Sequence, residues 1–471
     1  MKQTYQVLPC LLIIFLFVMT AAAEEGTGFN FPQTDAGKRI ELYFSAFNSN
    51  DENEMRKYME LNYTTASLQE RSLDDRMARY RQLRNEIPSL EPVKILRQNE
   101  EEIKLIAVSA AEQWLEISFE FEKNTPNKIT RLRINLLEEP PDLNAAASPL
   151  SEAGLPAEVE NYLNDRVVKD EFSGVVFIAR GDRPIFQKAY GLASKEYNVP
   201  NNTGTRFNLG SINKFFTRIA IEQLNGQGKL SFDDRIGKFL PDYPNRAAAE
   251  KVTINHLLDM ASGIGDFFGL KYQQTPKNAI RTLTDYLPLF AGEPLLFEPG
   301  SNRQYSNGGY VVLGLIIENA SGQNYYDYIQ EHICTVAGME QTGFFEADMP
   351  QENIASGYTR NWDNHDHKDE SRRNNYYSRP ARGSSAGGGY STVEDLYKLV
   401  LALAADKLSA PDASRMVNNA GIGIAGGAPG INAALETNPQ TGFIVIVLSN
   451  YDPPAAGAVA RKINSCIERL K

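Results

Sequence analysis

Phe207-Asn208-Leu209-Gly210-Ser211-Ile212-Asn213-Lys214 is the stretch on which the reading of this chain turns. The residues that follow, Phe215 to Leu224, carry apolar side chains at helical spacing, so Ser211 is expected to open a helix. Residues i and i+3 share a helix face, which brings the Ser211 hydroxyl to the Lys214 amine. A helix N-terminus there favours negative charge developing on the hydroxyl. A lysine serves as a base only where burial lowers its pKa, and an apolar helix face supplies that burial. The same residues also fit a capped surface helix, although Ser-x-x-Lys occurs only here in the chain.

Working outward, 471 residues are too many for one small core, and two folded domains are expected. A hydrophobic content of 42% and a charged content of 23% match a soluble globular protein. A net charge of −11 argues against nucleic acid, which requires a basic face. Lys2, the apolar run from Leu8 to Met19 and Ala21-Ala22-Ala23 before Glu24-Glu25 predict a secretory signal peptide over 1–23. The run is too short for a membrane anchor, so the mature chain is expected to be exported, periplasmic or secreted, with no integral span. Cys10 lies inside the run with no small residue before it, which argues against a lipid-anchored start. Cys334 and Cys466 remain after cleavage; one disulfide or two buried free thiols both fit.

Residues 24–140 read as a small α+β domain of helices followed by antiparallel strands. Lys38 to Phe47 and Asp74 to Leu83 have helical spacing. In Glu112 to Glu122, Leu115, Ile117, Phe119 and Phe121 alternate with Glu116, Ser118 and Glu120, predicting a strand flanked by Ile103–Val108 and Ile129–Leu136. This order, with Ala46-Phe47-Asn48-Ser49-Asn50-Asp51, resembles the cone-shaped nuclear-transport-factor-2-like fold. Tyr58, Tyr63, Tyr80 and Trp114 read as core or rim rather than a ligand cage. Glu138-Glu139-Pro140-Pro141 closes the domain, and 141–152 reads as a linker. The charged stretch from Asn361 to Arg373 is expected to be a surface loop.

Residues 153–471 open with a helix from Pro156 to Asp170 and a hairpin of Gly174–Ala179 and Pro184 onward across Gly181-Asp182. A mostly helical middle follows, then a strand at Phe443–Leu448 buried on both faces and a closing helix from Gly457 to Leu470. An antiparallel sheet built from both chain ends, with a helical lobe between, is the expected architecture. Two further groupings carry chemistry. In Tyr305-Ser306-Asn307 a tyrosine can pass a proton and an asparagine offers both a donor and an acceptor to a substrate amide. Gly426-Gly427-Ala428-Pro429-Gly430 would let a substrate approach the backbone and offer an N–H to an oxyanion, or would simply be a turn between strands.

Together, Ser211-x-x-Lys214, Tyr305-Ser306-Asn307 and the glycine-rich strand resemble the three motifs of the serine β-lactamase and penicillin-binding-protein superfamily, most closely its class C branch and related esterases. Leu257–Ile264, Val336–Phe344 and Ala386–Thr392 add to that likeness. The resemblance implies an α+β, β-lactamase/transpeptidase-like fold. It implies Ser211 as acylated nucleophile, Lys214 as its activator, Tyr305 as proton shuttle and Asn307 as amide ligand. The oxyanion site would be the N–H groups of Ser211 and Gly427, with Gly426 beside them, and no metal or organic cofactor is implied. Relatives carry Lys or His where this chain has Ile424, and a strand or two between Leu408 and Gly423 that are missing here. His256, His332, His365 and His367 all precede that wall. Losing a charge-assisted hydrogen bond costs about 1.5–3 kcal/mol, which weakens substrates bearing a carboxylate most. The expectation is a serine hydrolase acting through an acyl-enzyme on a small-molecule or peptide substrate, esters before β-lactams. The alternatives are a binding protein that keeps the fold without turnover, and a cell-wall D-alanyl carboxypeptidase with a cation supplied from elsewhere.

Overall fold

The structure, a computed structural model, describes residues 29–110, 113–123, 126–137, 149–361 and 371–470. The signal peptide, residues 141–148 of the linker, and His365 and His367 therefore lie outside the described residues. The chain divides into two compact units, one within Met1–Ala146 and one within Ala147–Lys471.

In the first unit, helices α1 (Asp35–Asn48), α2 (Glu52–Asn62), α3 (Thr65–Glu70) and α4 (Leu73–Glu86) precede strands β1 (Glu91–Gln98), β2 (Glu102–Val108), β3 (Trp114–Phe121) and β4 (Ile129–Leu137). Each helix starts where a short polar side chain caps it: Thr34, Asp51, Thr64 and Ser72 accept from backbone N–H groups of the first turn. The strands form one antiparallel meander in sequence order. Leu115, Ile117, Phe119 and Phe121 are buried on its inner face, and Tyr58, Tyr63 and Tyr80 belong to the same core. Ser118 departs from the alternation: it is also buried, donating to Glu102 Oε1 at 2.8 Å. Strand β1 has no sequence signal, because Pro92 and two irregularities in its pairing break the period-two pattern.

In the second unit, α5 (Leu155–Val168) leads into β5 (Gly174–Arg180) and β6 (Arg183–Tyr190). The lobe that follows includes α6 (Asn213–Gly226), α7 (Asn307–Ser321) and α8 (Val393–Ala404). Strands β7 (Gly423–Ala428), β8 (Ile431–Asn438) and β9 (Phe443–Ser449) and helix α9 (Ala455–Glu468) close the chain. The sheet runs β7-β8-β9-β5-β6, antiparallel throughout, so strands from the two ends of this unit meet at β9 and β5. Val176, Ile178, Val445 and Val447 pack under α5 and α9, while Phe177, Ile444, Ile446 and Leu448 pack against the helical lobe. That double burial is why β9 reads as an unbroken apolar run. Cys334 sits in the lobe core and Cys466 in the core under α9; both are buried free thiols, which decides between the two alternatives for the pair. Between Leu408 and β7 the chain makes only short helical turns over Pro411–Arg415 and Met416–Ala420.

Candidate active site

Ser211 does not open the α-helix. It sits in a 3-10 turn, Gly210–Ile212, and α6 begins at Asn213. The turn exists because Gly210 takes a left-handed φ of +49° and its N–H donates to Asn208 Oδ1 at 2.9 Å. The i, i+3 relation survives the change: Lys214 Nζ lies 3.1 Å from Ser211 Oγ. Two backbone segments clasp this turn. On one side Leu209 N–H donates to Gly389 O at 2.8 Å, and Gly389 N–H donates to Asn213 Oδ1 at 2.7 Å. On the other side lies β7, where a Cβ added to Gly426 would stand 1.9 Å from Leu209 O and 2.9 Å from Ser211 N. A Cβ on Gly210 would in turn meet Gly427 N at 2.9 Å. Only glycines permit so close an approach.

Tyr305-Ser306-Asn307 comes to the same point. Ser306 caps α7, accepting from Gly309 N–H at 2.8 Å and donating to Gly265 O at 3.0 Å. With the cap fixed, Asn307 begins the helix and Tyr305 projects from its approach. The Tyr305 hydroxyl donates to Ser211 Oγ at 2.6 Å, and its side chain remains half in solvent. Burial raises its pKa, the bond to Ser211 opposes that, and the Asp266 charge adds to it, so the phenol stays protonated.

Lys214 is 7% exposed. Burial lowers its pKa to about 7, with the Asp266 carboxylate pulling the other way. Its amine faces three acceptors: Ser211 Oγ, Asn307 Oδ1 at 2.6 Å and Ala386 O at 2.6 Å. A neutral amine has two N–H groups and one lone pair. With Asn307 and Ala386 taking the N–H groups, the lone pair is left for the Ser211 hydroxyl proton. The arrangement can therefore deprotonate a serine beside a proton-bearing phenol and two main-chain N–H groups.

All six residues expected from the sequence come together, Gly426 as the contact surface of β7 against Leu209 and Ser211, and Gly427 with its N–H beside Gly210. Ile424 shares the face of Gly426 and packs against the lobe core. Neither described histidine compensates: His256 caps a short helix with Thr253, and His332 bonds Gln323. Two participants had no side-chain signal of their own. Ala386 acts through its carbonyl, although the Ala386–Thr392 signature marks its loop. Asp266 accepts from Asn307 Nδ2 at 2.7 Å and from Asn307 N–H at 3.2 Å. A search for acidic residues just past Leu257–Ile264 would have found it.

Residues 159–465 match the family described as Beta-lactamase, and the chain belongs to that family. It is classed with its serine hydrolases. Penicillin-binding protein 4* of Bacillus subtilis is 31% identical over 293 residues, covering 59% of this chain and 62% of that protein. Protein flp of Staphylococcus aureus is 28% identical over 43% of this chain and 41% of its own. The chain thus spans less than two thirds of the length of either relative. A penicillin binding protein from Bacillus halodurans superposes with a TM-score of 0.58 at 31% identity, covering 64% of this chain and 98% of that one. EstCE1, a hydrolase with promiscuous acyltransferase activity, shares the fold at a TM-score of 0.55 and 20% identity, covering 67% and 99%.

Proposed function

We propose that this is an exported serine hydrolase that works through an acyl-enzyme and prefers neutral esters to β-lactams or D-alanyl peptides. The observation that carries the reading is the buried Lys214 amine 3.1 Å from Ser211 Oγ, with Asn307 Oδ1 and Ala386 O each 2.6 Å away to take its N–H groups. In this reading the Ser211 proton passes to Lys214 as Oγ bonds to the substrate carbonyl carbon. The oxyanion collects the N–H groups of Ser211 and Gly427. The proton then reaches the leaving oxygen or nitrogen through Tyr305 as that bond breaks. Asn307 orients a substrate amide, and water completes the cycle along the same path. No helix among the described residues is long and apolar enough to cross a membrane; the apolar run at 8–19 supports export. For the first unit, helices preceding a four-stranded antiparallel sheet support a nuclear-transport-factor-2-like cone.

The preference for esters rests on Ile424, an apolar side chain on the wall where relatives carry a cation. A substrate carboxylate there is left unpaired and partly desolvated. Short neutral esters are expected to be cleaved far faster than penicillins or D-alanyl-D-alanine peptides. Ile424→His and Ile424→Lys should raise kcat/KM for the anionic substrates by about ten- to a hundredfold, without a matching gain on neutral esters. Equal wild-type rates on penicillins and neutral esters would refute the preference.

The pH dependence follows from Lys214. As a base it must be neutral, so kcat/KM for a neutral ester should fall as pH drops through about 7, the value to which burial lowers this amine. An acid limb at the carboxylate range, near pH 4, would assign the base elsewhere.

A further inference from the structure

The Asp266 carboxylate lies outside the three motifs, is exposed, and is nevertheless fully placed. Its Oδ2 accepts both Asn307 N–H and Asn307 Nδ2, at 3.2 and 2.7 Å, and its Oδ1 accepts Phe268 N–H at 3.1 Å. These bonds lock the loop after Gly263 to the first turn of α7. We infer that Asp266 is the positioning residue of the site, holding the Asn307 amide with its oxygen toward Lys214. The inference rests on the reading of Lys214 as the base.

The argument is one of donor and acceptor count. A carboxylate can only accept, so the Asn307 edge facing Asp266 must be the NH2 group. The opposite edge, facing Lys214, is then the carbonyl oxygen, which takes an N–H from the amine. Turned over, the amide would point an N–H at the amine, occupy its lone pair and remove the base. A neutral amide at position 266 would permit both orientations, since it can donate to the Asn307 oxygen as well as accept.

The carboxylate has a second, electrostatic action. It is the charged group that faces Lys214 from the 259–268 loop. Helix α7 and its approach offer Tyr305 and Tyr310, whose rings lie 4.7 and 5.6 Å from Nζ; Tyr310 in turn feels Arg218 and Asp259. The 384–389 loop presents the Ala386 carbonyl, and β7 carries no charged residue. Asp266 raises the Lys214 pKa against burial. Removing its charge therefore moves the titration down, not up.

Asp266→Asn, isosteric and readily folded, is the test, with Asp266→Glu as the conservative control. On a neutral ester, kcat of the asparagine variant should fall about three- to thirtyfold with KM nearly unchanged, the range of one misplaced hydrogen bond. Its acid limb should shift to lower pH, and the glutamate variant should recover part of both. A residue that merely holds the loop would lower activity without moving the limb. Asparagine-variant kcat within twofold of wild type, with an unmoved limb, overturns the inference. The Lys214 titration, followed by NMR in both proteins, does not depend on turnover. A lower value in Asp266→Asn supports the inference and an unchanged one overturns it, whereas a wild type inert toward every ester and phosphonate counts against the hydrolase reading alone.

Discussion

Ser211→Ala is expected to reduce hydrolysis of a short neutral ester by about four to six orders of magnitude, the loss seen when a serine nucleophile is removed from a unit that acts together. The fold should survive. The Ser211 hydroxyl accepts from Tyr305, which is half in solvent, and lies against Lys214, whose other two acceptors remain. The stability change is therefore expected within about 1 kcal/mol, the net worth of one such hydrogen bond. A fluorophosphonate should label wild type at Ser211 and leave both Ser211→Ala and Lys214→Ala unlabelled. Full ester hydrolysis by a folded Ser211→Ala protein would refute the mechanism, and labelling of Lys214→Ala at the wild-type rate would remove the lysine from it.

The second large effect belongs to a residue with no reactive atom. Gly426→Ala places a methyl group 1.9 Å from Leu209 O, a distance at which backbone must move. Either β7 shifts outward, carrying Gly427 N–H from the oxyanion position, or the Ser211 turn shifts inward. Loss of one oxyanion donor costs about 10²–10³ in kcat, and overpacking costs about 1–3 kcal/mol of stability. Gly423→Ala, three residues earlier on the same strand, is the control: a Cβ there meets nothing within 4 Å. The comparison is between kcat and Tm of the two variants. A Gly426→Ala enzyme as fast as Gly423→Ala would mean that β7 does not set the oxyanion position.

The catalytic grouping was legible because its side chains carry chemistry in short motifs. Ser211 and Lys214 are three positions apart, and the helix that relates them is local. What joins Ser211 to Tyr305 and Gly426 is the packing of distant segments, which only the likeness to known motifs could suggest. The expected helix start at Ser211 lies two residues before that of α6, because the left-handed turn at Gly210 has no periodicity to betray it. The role of Ala386, whose loop the likeness had marked, was hidden for a different reason: a carbonyl acceptor is common to every residue. The first unit shows the same contrast. Strand β3 advertises itself through strict alternation, whereas β1, interrupted by Pro92 and bulged against β2, does not.

The joining of the second unit's two ends at β5 and β9 also sets when this protein can become itself. Ser449 Oγ donates to Ser173 O across 276 positions of sequence, and the pairing of Gly174 with Ser449 begins a seven-residue register. During synthesis at 5–20 residues per second, β5 waits roughly 15 to 50 s for its partner to emerge. Contacts so distant in sequence make for slow folding, because loop closure must precede any reward. Since β7 reaches the sheet only through β8 and β9, the wall beside Ser211 is assembled last. A chain cut short between Asn307 and Phe443 is thus expected to carry every reactive side chain and no working site, so the nascent protein stays inert until β9 has docked.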